Sequence, residues 1–422
     1  MKILLSAFNC NPHQGSEEAW GWAWAEGLST IGHEVWVITK TENQPSINAE
    51  ISANPKSNLH FVYCDFPPPS TSWWMFEGYQ FGMLNQTLNA EWRLFWWQWS
   101  AYQLAKSLSQ QVEFDFVHHV TNSCIRRYSF MGFLGIPFIL GPLAGGVTVP
   151  WNLRKSYPLM GKLRDFLRDL ANFFIHFNPL MHLTFEQASK IYCDSKQTQA
   201  CIPIFYRTKS EILFCIPKQT ISNIPDLIEQ KSPEKEIFRV LFVGRLLYWK
   251  GLHLAIKAFA QLHQKIPESR FTIIGSGSDE KWLQQLAARL NISNFVDWVP
   301  WIEQKEVFQA YLQHDVFLIP TLHDTGPNVI LEAFSSGLPV VSLDLGGSGV
   351  MVDETCGRVI KTKRCSEETV IQGLSNALIE LANNPKLRHQ LSQGALARIS
   401  KFMWRDVLEK VYPTSSICSK IN

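Results

Sequence analysis

Several signatures that would settle a chemistry at once are missing from this chain. There is no DxD pair, no HExxH, no GxSxG and no Walker A loop, so metal-clamped phosphates, zinc hydrolysis and P-loop chemistry lack support. Nine cysteines are scattered without one CxxC, and their number is odd. They read as reduced thiols of a cytoplasmic protein, not as a disulfide framework or a zinc site. Charge of either sign is scarce in excess: the formal net charge is +2 over 422 residues, which does not point to nucleic acid as a partner. No run of ~20 residues is apolar enough to span a bilayer, and low-complexity tracts and internal repeats are absent. The opening "MKILLSAFNCNPHQGSEE" carries too short an apolar stretch for a signal peptide and reads as a first strand.

What is present is a chain too long for one ordinary core. Short β-like runs alternate with longer helical stretches: "KILLSAF", a helix over 16–30 stopped by Gly32, "EVWVIT", then "FDFVHHV", "GIPFILG" and "KIYCDS". After the polar, proline-bearing "QKSPEKE" the pattern restarts with "IFRVLFVGR", the helix "GLHLAIKAFAQLHQK", "RFTIIGSG", "EKWLQQLAARL", "FVDWV", a helix over 303–313, "DVFLIP" and "LPVVSLDLGG". This alternation predicts an α/β protein of two doubly wound parallel sheets, Rossmann-like, joined near 215–236. We place an N-terminal domain at 1–215, a C-terminal domain at 216–395, and a terminal helix with a tail at 396–422. Tryptophan is abundant, with 16 residues. Trp92, Phe95, Trp96 and Trp99 share one helical face; core packing is the leading reading, a lipid- or acceptor-facing surface the other.

In open α/β sheets ligands sit at the carboxyl ends of strands, and the polar stretches of interest lie there. In "VLFVGRLLYWKG" a buried strand ends at Gly244, with Arg245 and Lys250 following as a helix begins. Two cations beside free helix N–H groups suit a diphosphate; two solvated basic residues are the plainer alternative. "TLHDTGPNVILEAF" carries Asp324 in a loop and Glu332 in a helix opened by Pro327 at its first position and stopped by Gly337. Side chains on a helix lean toward its N-terminus, so both acids can reach one small volume. Asp324 could instead cap the helix and Glu332 face water, but a carboxylate within apolar "VILEAF" needs a partner, and sugar or ribose hydroxyls qualify. "GGSG" at 346–349 permits close backbone approach or simply makes a turn. "GSGSDE" at 275–280 fails as a dinucleotide fingerprint.

In the first half, Gly15 and Ser16 stand at the first strand-to-helix turn as an anion or hydroxyl site. His118 and His119 end a strand, and because neighbours on a strand face opposite ways, at most one can face a cleft. "GPLAGG" at 141–146 leaves room for a ligand. The helix "GKLRDFLRDLANFFIHF", with Lys162, Arg164 and Arg168 among Phe and Leu, would suit a membrane surface; packing on its own domain is the reading placed slightly ahead.

These blocks resemble a known family. "VLFVGRLLYWKGLHLAIKAF", "FTIIGSGSDEKWLQQLA" and "DVFLIPTLHDTGPNVILEAFSSGLPVVSLDLGG" are similar, in order and spacing, to the donor domain of the retaining GT-B glycosyltransferases of family four (glycosyl transferases group 1). "NPHQGSEEAWGWAWAEGLSTIGHEVWVIT" and "DFVHHVT…GIPFILGPLAGG" resemble the acceptor half of a bacterial branch. The resemblance implies a nucleotide-sugar in a cleft between the domains, with Arg245 and Lys250 on the diphosphate, Glu332 on the ribose and Asp324 on the donor sugar. It further implies that Thr325, Gly326 and Asn328 approach the sugar, and that Gly15, Ser16 and one of His118 and His119 line the reacting side. Neither a cofactor nor a metal is expected. The expected reaction is retaining transfer to a saccharide or lipid-linked acceptor in bacterial surface or exopolysaccharide biosynthesis, in the cytoplasm and at the periphery of the membrane's inner face. An epimerase, a phosphorylase or a catalytically degenerate nucleotide-binding partner subunit are the alternatives. Three positions depart from the family's pattern: Asp324 replaces the first Glu of E-x7-E, Pro327 stands where Gly is usual, and Pro300 replaces a Gly before the base-binding turn.

Overall fold

The apolar runs become two parallel sheets. The structure, a computed structural model, describes residues 1–14, 17–65, 82–213, 237–402 and 404–413. The first sheet holds β1 (Lys2–Ser6), β2 (Glu34–Lys40), β3 (Leu59–Cys64), β4 (Phe116–His119), β5 (Phe138–Leu143), β6 (Ala188–Cys193) and β7 (Ser210–Ile212). Their order is β3-β2-β1-β4-β5-β6-β7, and every pair is parallel. The second sheet holds β8 (Phe238–Val243), β9 (Ser269–Ile274), β10 (Val296–Val299), β11 (Val316–Ile319), β12 (Val340–Leu343) and β13 (Gly357–Ile360), in the order β10-β9-β8-β11-β12-β13. Both are doubly wound, with strand order reversing beside β1 and again beside β8, which creates a crevice at each place. Central strands such as Ile3–Leu5 and Val316–Ile319 are buried throughout, because helices cover both faces.

The first domain carries helices α1 (Glu17–Thr30), α2 (Gln44–Ala53), α3 (Gly82–Leu108), α4 (Leu159–Phe174), α5 (Pro179–Gln187) and α6 (Lys196–Cys201). The second carries α7 (Leu252–Lys265), α8 (Glu280–Arg289), α9 (Gln304–Gln313), α10 (Asn328–Ser335), α11 (Ser348–Met351), α12 (Glu367–Asn383) and α13 (Pro385–Ile399). A last helix, α14 (Trp404–Val411), lies on the first domain. There Trp404 Nε1 donates to the Ala23 carbonyl at 3.1 Å, and its ring meets that of Trp24 at 4.9 Å. Among the described residues no helix is long and apolar enough to cross a membrane, and the seven cysteines described are all free.

The two cores touch. Val149, Leu153 and Tyr157 follow β5 in the first domain yet belong to the buried cluster around Leu252, Leu254 and Ile256. Polar bonds reinforce the contact: the Ser156 backbone N–H donates to Glu367 at 3.1 Å, and Lys257 Nζ donates to the same carboxylate at 2.6 Å.

Three expectations need correction. The face of α3 that enters the core is Leu94, Trp97, Gln98, Ala101 and Ala105. The row Trp92, Phe95, Trp96 and Trp99 instead stacks within itself and on Phe130 at the domain's margin; both rows repeat with helical period, and aromatic weight alone picks the wrong one. Pro327 sits at the N-cap of α10 with ψ 100°, not at its first helical position, so its missing N–H lies outside the helix. The apolar face of α4 does not pack on its own domain but faces outward, with Phe166 and Leu170 exposed. Edge strands β7 and β13 lacked an apolar signature because they are short and mostly half-buried; β3, with the run LHFVYC, is apolar and lies outside the expected strands. The junction expected over 215–236 lies outside the described residues.

The second crevice depends on Gly251. Its φ is +72°, and a Cβ there would come within 1.8 Å of the Pro320 carbonyl oxygen. Gly251→Ala should therefore cost ~2 kcal/mol or more, read as a lower urea midpoint of the intact chain; an unchanged midpoint would show that the two loops need not touch.

Candidate active site

The second crevice is built from the loops after β8 and β11. Gly244 leaves β8, Arg245 stands exposed, and the turn Tyr248–Lys250 leads through Gly251 into α7. The neighbouring loop "GSGSDE" braces this turn: Asp279 Oδ2 accepts from the Tyr248 N–H at 2.7 Å, and the Asp279 N–H donates to the Leu246 carbonyl at 3.1 Å. The loop after β11 joins from the other side, where the Leu322 N–H donates to the Trp249 carbonyl at 2.8 Å.

At the centre Lys250 Nζ is ion-paired with Asp324 Oδ2, each side chain less than one-fifth exposed. Resemblance assigns these two to different parts of one ligand; in the structure they hold each other. Gly346 supports Asp324 from behind: a Cβ there would meet the Asp324 carbonyl oxygen at 2.2 Å, and the Gly347 N–H donates to that oxygen at 2.9 Å. The close approach that "GGSG" permits is thus to the site's own backbone.

Glu332 projects from the second turn of α10. Its Oε2 accepts from the buried Tyr311 hydroxyl on α9 at 3.0 Å. Burial raises the Glu332 carboxyl above its usual range, and the tyrosine bond works against that shift. Thr325 and Gly326 are half-buried and Asn328 is exposed at the start of α10, whose first N–H groups have no intrahelical acceptor. Arg245, Lys250, Asp324, Thr325, Gly326, Asn328 and Glu332 thus sit on the loops and helix starts of one sheet edge. Two further residues were not foreseen. Trp301, 74% exposed, follows β10 on the same edge, an aromatic surface for stacking.

The other is Asp194, at the end of β6 in the first domain. It is buried, Oδ1 accepts from Ser195 Oγ at 2.8 Å, and Oδ2 has no protein partner. Burial is the main cause that pushes its carboxyl up to about 7, and the negative charge of Asp324 adds to the shift. The first domain thus presents a carboxyl whose field reaches the second domain's acid. Only the position of "CDS" at a strand end could have signalled it.

His118 and His119 do not line the reacting side, which corrects that expectation. They face opposite ways from a central strand, and both rings are wholly enclosed. His118 Nε2 lies 2.7 Å from the Gly141 carbonyl and Nδ1 2.7 Å from the Tyr412 hydroxyl. Since a carbonyl only accepts, Nε2 carries the proton and Nδ1 accepts from Tyr412. His119 is held between Ser6 Oγ at 3.0 Å and Gln98 at 3.3 Å. Gly15 and Ser16 lie outside the described residues. The adjoining Glu17 Oε1 accepts from the Asn122 N–H at 2.6 Å, tying the first strand-to-helix turn to the loop after β4.

Two doubly wound domains, with a basic and acidic cluster at the carboxyl edge of the second, define the class: a GT-B glycosyltransferase fold. Residues 223–398 match the family described as glycosyl transferases group 1. The chain is similar to the glycogen synthase of Mycobacterium tuberculosis, 29% identical over 178 residues that make up 42% of each chain; it thus spans less than half of that relative's length. Among solved structures it resembles the lipopolysaccharide outer core galactosyltransferase WaaB, with TM-score 0.60 and 13% identity over 97% of this chain and 98% of that one. It also resembles Anabaena HepE solved with UDP-glucose, with TM-score 0.53 and 16% identity over 97% of this chain and 98% of that one. At such identities these structures speak for the fold.

Burial has a measurable pH signature. It lowers His118 from 6.5 to about 3, His119 to about 4, His253 to about 4 and His323 to about 2. The fold keeps these rings neutral while the unfolded chain takes up protons below pH 6.5, so their contribution is complete above 6.5 and is lost as pH falls. His118→Gln removes one such proton, and its stability should fall less steeply below pH 6.5 by ~1.4 kcal/mol per pH unit. Asp194 has the opposite sign: its contribution is complete below pH 3.8 and is lost as pH rises toward 7. The advantage of Asp194→Asn over the native chain should grow over that interval and then level off. Urea titrations at several pH values read both effects, and parallel curves would remove the burial assignment.

Proposed function

We propose that the protein is a retaining glycosyltransferase that moves a sugar from a nucleoside-diphosphate sugar to a saccharide or lipid-linked acceptor. The observation that carries this is the Lys250–Asp324 pair at the β8/β11 crevice, with Arg245 and the start of α7 beside it. An incoming diphosphate competes for Lys250, and Arg245 and the helix N–H groups add positive charge. Asp324, released from Lys250, accepts a hydroxyl of the donor sugar. Glu332, oriented by Tyr311, accepts from the ribose. The base extends along the sheet edge toward Trp301, two strands from β8, a span of ~10 Å at the usual strand spacing that suits a nucleoside.

The bond that breaks joins the anomeric carbon to the leaving phosphate oxygen. Charge develops on that phosphate, where Lys250, Arg245 and the helix start stabilise it without a metal. The acceptor oxygen bonds the anomeric carbon on the same face, and its proton passes to the departing phosphate. No carboxylate nucleophile is needed, which fits Asp324 as a binding group. In this reading the protein acts in bacterial surface or exopolysaccharide assembly, in the cytoplasm and against the inner face of the membrane.

Lys250→Ala and Glu332→Ala should each lower transfer by ~100-fold or more while circular dichroism shows the native secondary structure retained. Full activity in either variant would refute the assignment. A screen of UDP-, GDP- and ADP-sugars by thermal shift should find one that raises Tm in the native protein and not in Lys250→Ala; no shift with any of them would favour a partner subunit without turnover.

A further inference from the structure

Helix α4 wears its amphipathic pattern inside out. Its polar side chains point into the protein: Asp165 accepts from the Tyr248 hydroxyl at 3.3 Å, Asn172 Oδ1 accepts from Arg126 at 2.5 Å, and Asp169 pairs with Arg154. Arg168 lies 3.5 Å from Asp165 on the same side. The opposite face is apolar and open, with Leu159 at 82% exposure, Phe173 at 59% and Leu163, Phe166, Leu170 and Phe174 between 41% and 55%. Trp151 extends it, its ring 6.3 Å from that of Phe166, and Phe177 continues it at 67% exposure. Contiguous apolar surface of this extent marks an interaction site. The helix cannot roll it inward, because its inner face is bonded to both domains.

We propose that this face docks on a lipid surface bearing anionic headgroups. At 3.6 residues per turn, Lys162 and Arg164 fall on the two borders of the apolar stripe. That is where the cations of a helix lying in a membrane interface must be to reach headgroups while the stripe enters the acyl boundary. The tryptophan at the stripe's end fits the same depth. A second copy of the chain suits the face poorly. A two-fold contact would bring these cations against their own kind, and the helix's two acids, Asp165 and Asp169, are turned inward where they could not answer them. Docking also places α4's inner face in context: Asp165 reaches Tyr248, in the turn that holds Lys250. The lipid surface would thus lie beside the cleft, where the proposed lipid-linked acceptor would be delivered; in that one respect the inference rests on the proposed reaction.

Flotation of the full chain tests docking without donor or acceptor, so its failure leaves the transferase reading untouched. With vesicles of phosphatidylglycerol and phosphatidylcholine at low salt the protein should float, and with pure phosphatidylcholine it should float far less. Phe166→Glu with Leu170→Glu should lower the bound fraction by about tenfold, and Lys162→Gln with Arg164→Gln should remove the preference for anionic vesicles. Circular dichroism and an unchanged Tm check that both variants fold, as outward positions should allow. Equal flotation of the glutamate variant would overturn the proposal, as would no flotation of the native chain, whether sedimentation then finds a monomer or a dimer that the glutamate variant dissolves.

Discussion

One ion pair organises the second domain's working edge. Lys250 ends the loop of β8, Asp324 belongs to the loop of β11, and their contact spans the place where strand order reverses. Neither charge could be left alone at this depth without a desolvation penalty, so the pair holds the two loops in register. Around it further bonds do the same work: the backbone pairs Trp249–Leu322 and Asp324–Gly347, and the Asp279 carboxylate accepting from the Tyr248 N–H. A ligand that takes Lys250 must offer the loops an equivalent anion, which is what a diphosphate is.

Charge and burial divide the labour between the domains. The second supplies exposed or half-buried ions that can exchange partners, namely Arg245, Lys250, Asp324 and Glu332. The first supplies enclosed groups whose bonds are already made. His118 and His119 are spent on Gly141, Tyr412, Ser6 and Gln98, and burial keeps them neutral. Asp194 combines enclosure with an unpartnered oxygen, and it is also the group that feels Asp324.

The doubly wound layout was legible because central parallel strands are apolar on both faces and end in glycine or polar residues. "IFRVLFVGR" and "DVFLIP" are the clearest examples, and the loops after them gather Arg245, Lys250, Asp324 and Glu332. What was not legible depends on which side of an element faces inward. Periodicity places Trp92 and Trp97 of α3 on definite faces but does not say which meets the core, and a helix such as α4 reads the same whether its stripe points in or out. The histidine pair misled for a related reason: a strand end looks like a cleft in sequence, but here α3 and α14 cover its two sides. The edge strands β7 and β13 left no trace because half-buried positions accept polar residues, whereas the edge strand β10 was legible in "FVDWV".

The return of α14 to the first domain has a mechanical consequence. The chain passes between the domains once before β8 and again between Phe402 and Trp404, where the indole of Trp404 is bonded to Ala23. Two bodies joined by a single strand can swivel in any direction; these are tied by two crossings and also by the core that Val149, Leu153 and Tyr157 share with the second domain. Rotation of one domain against the other is therefore opposed at three separate places, so the chain's ends and its middle brace the same crevice.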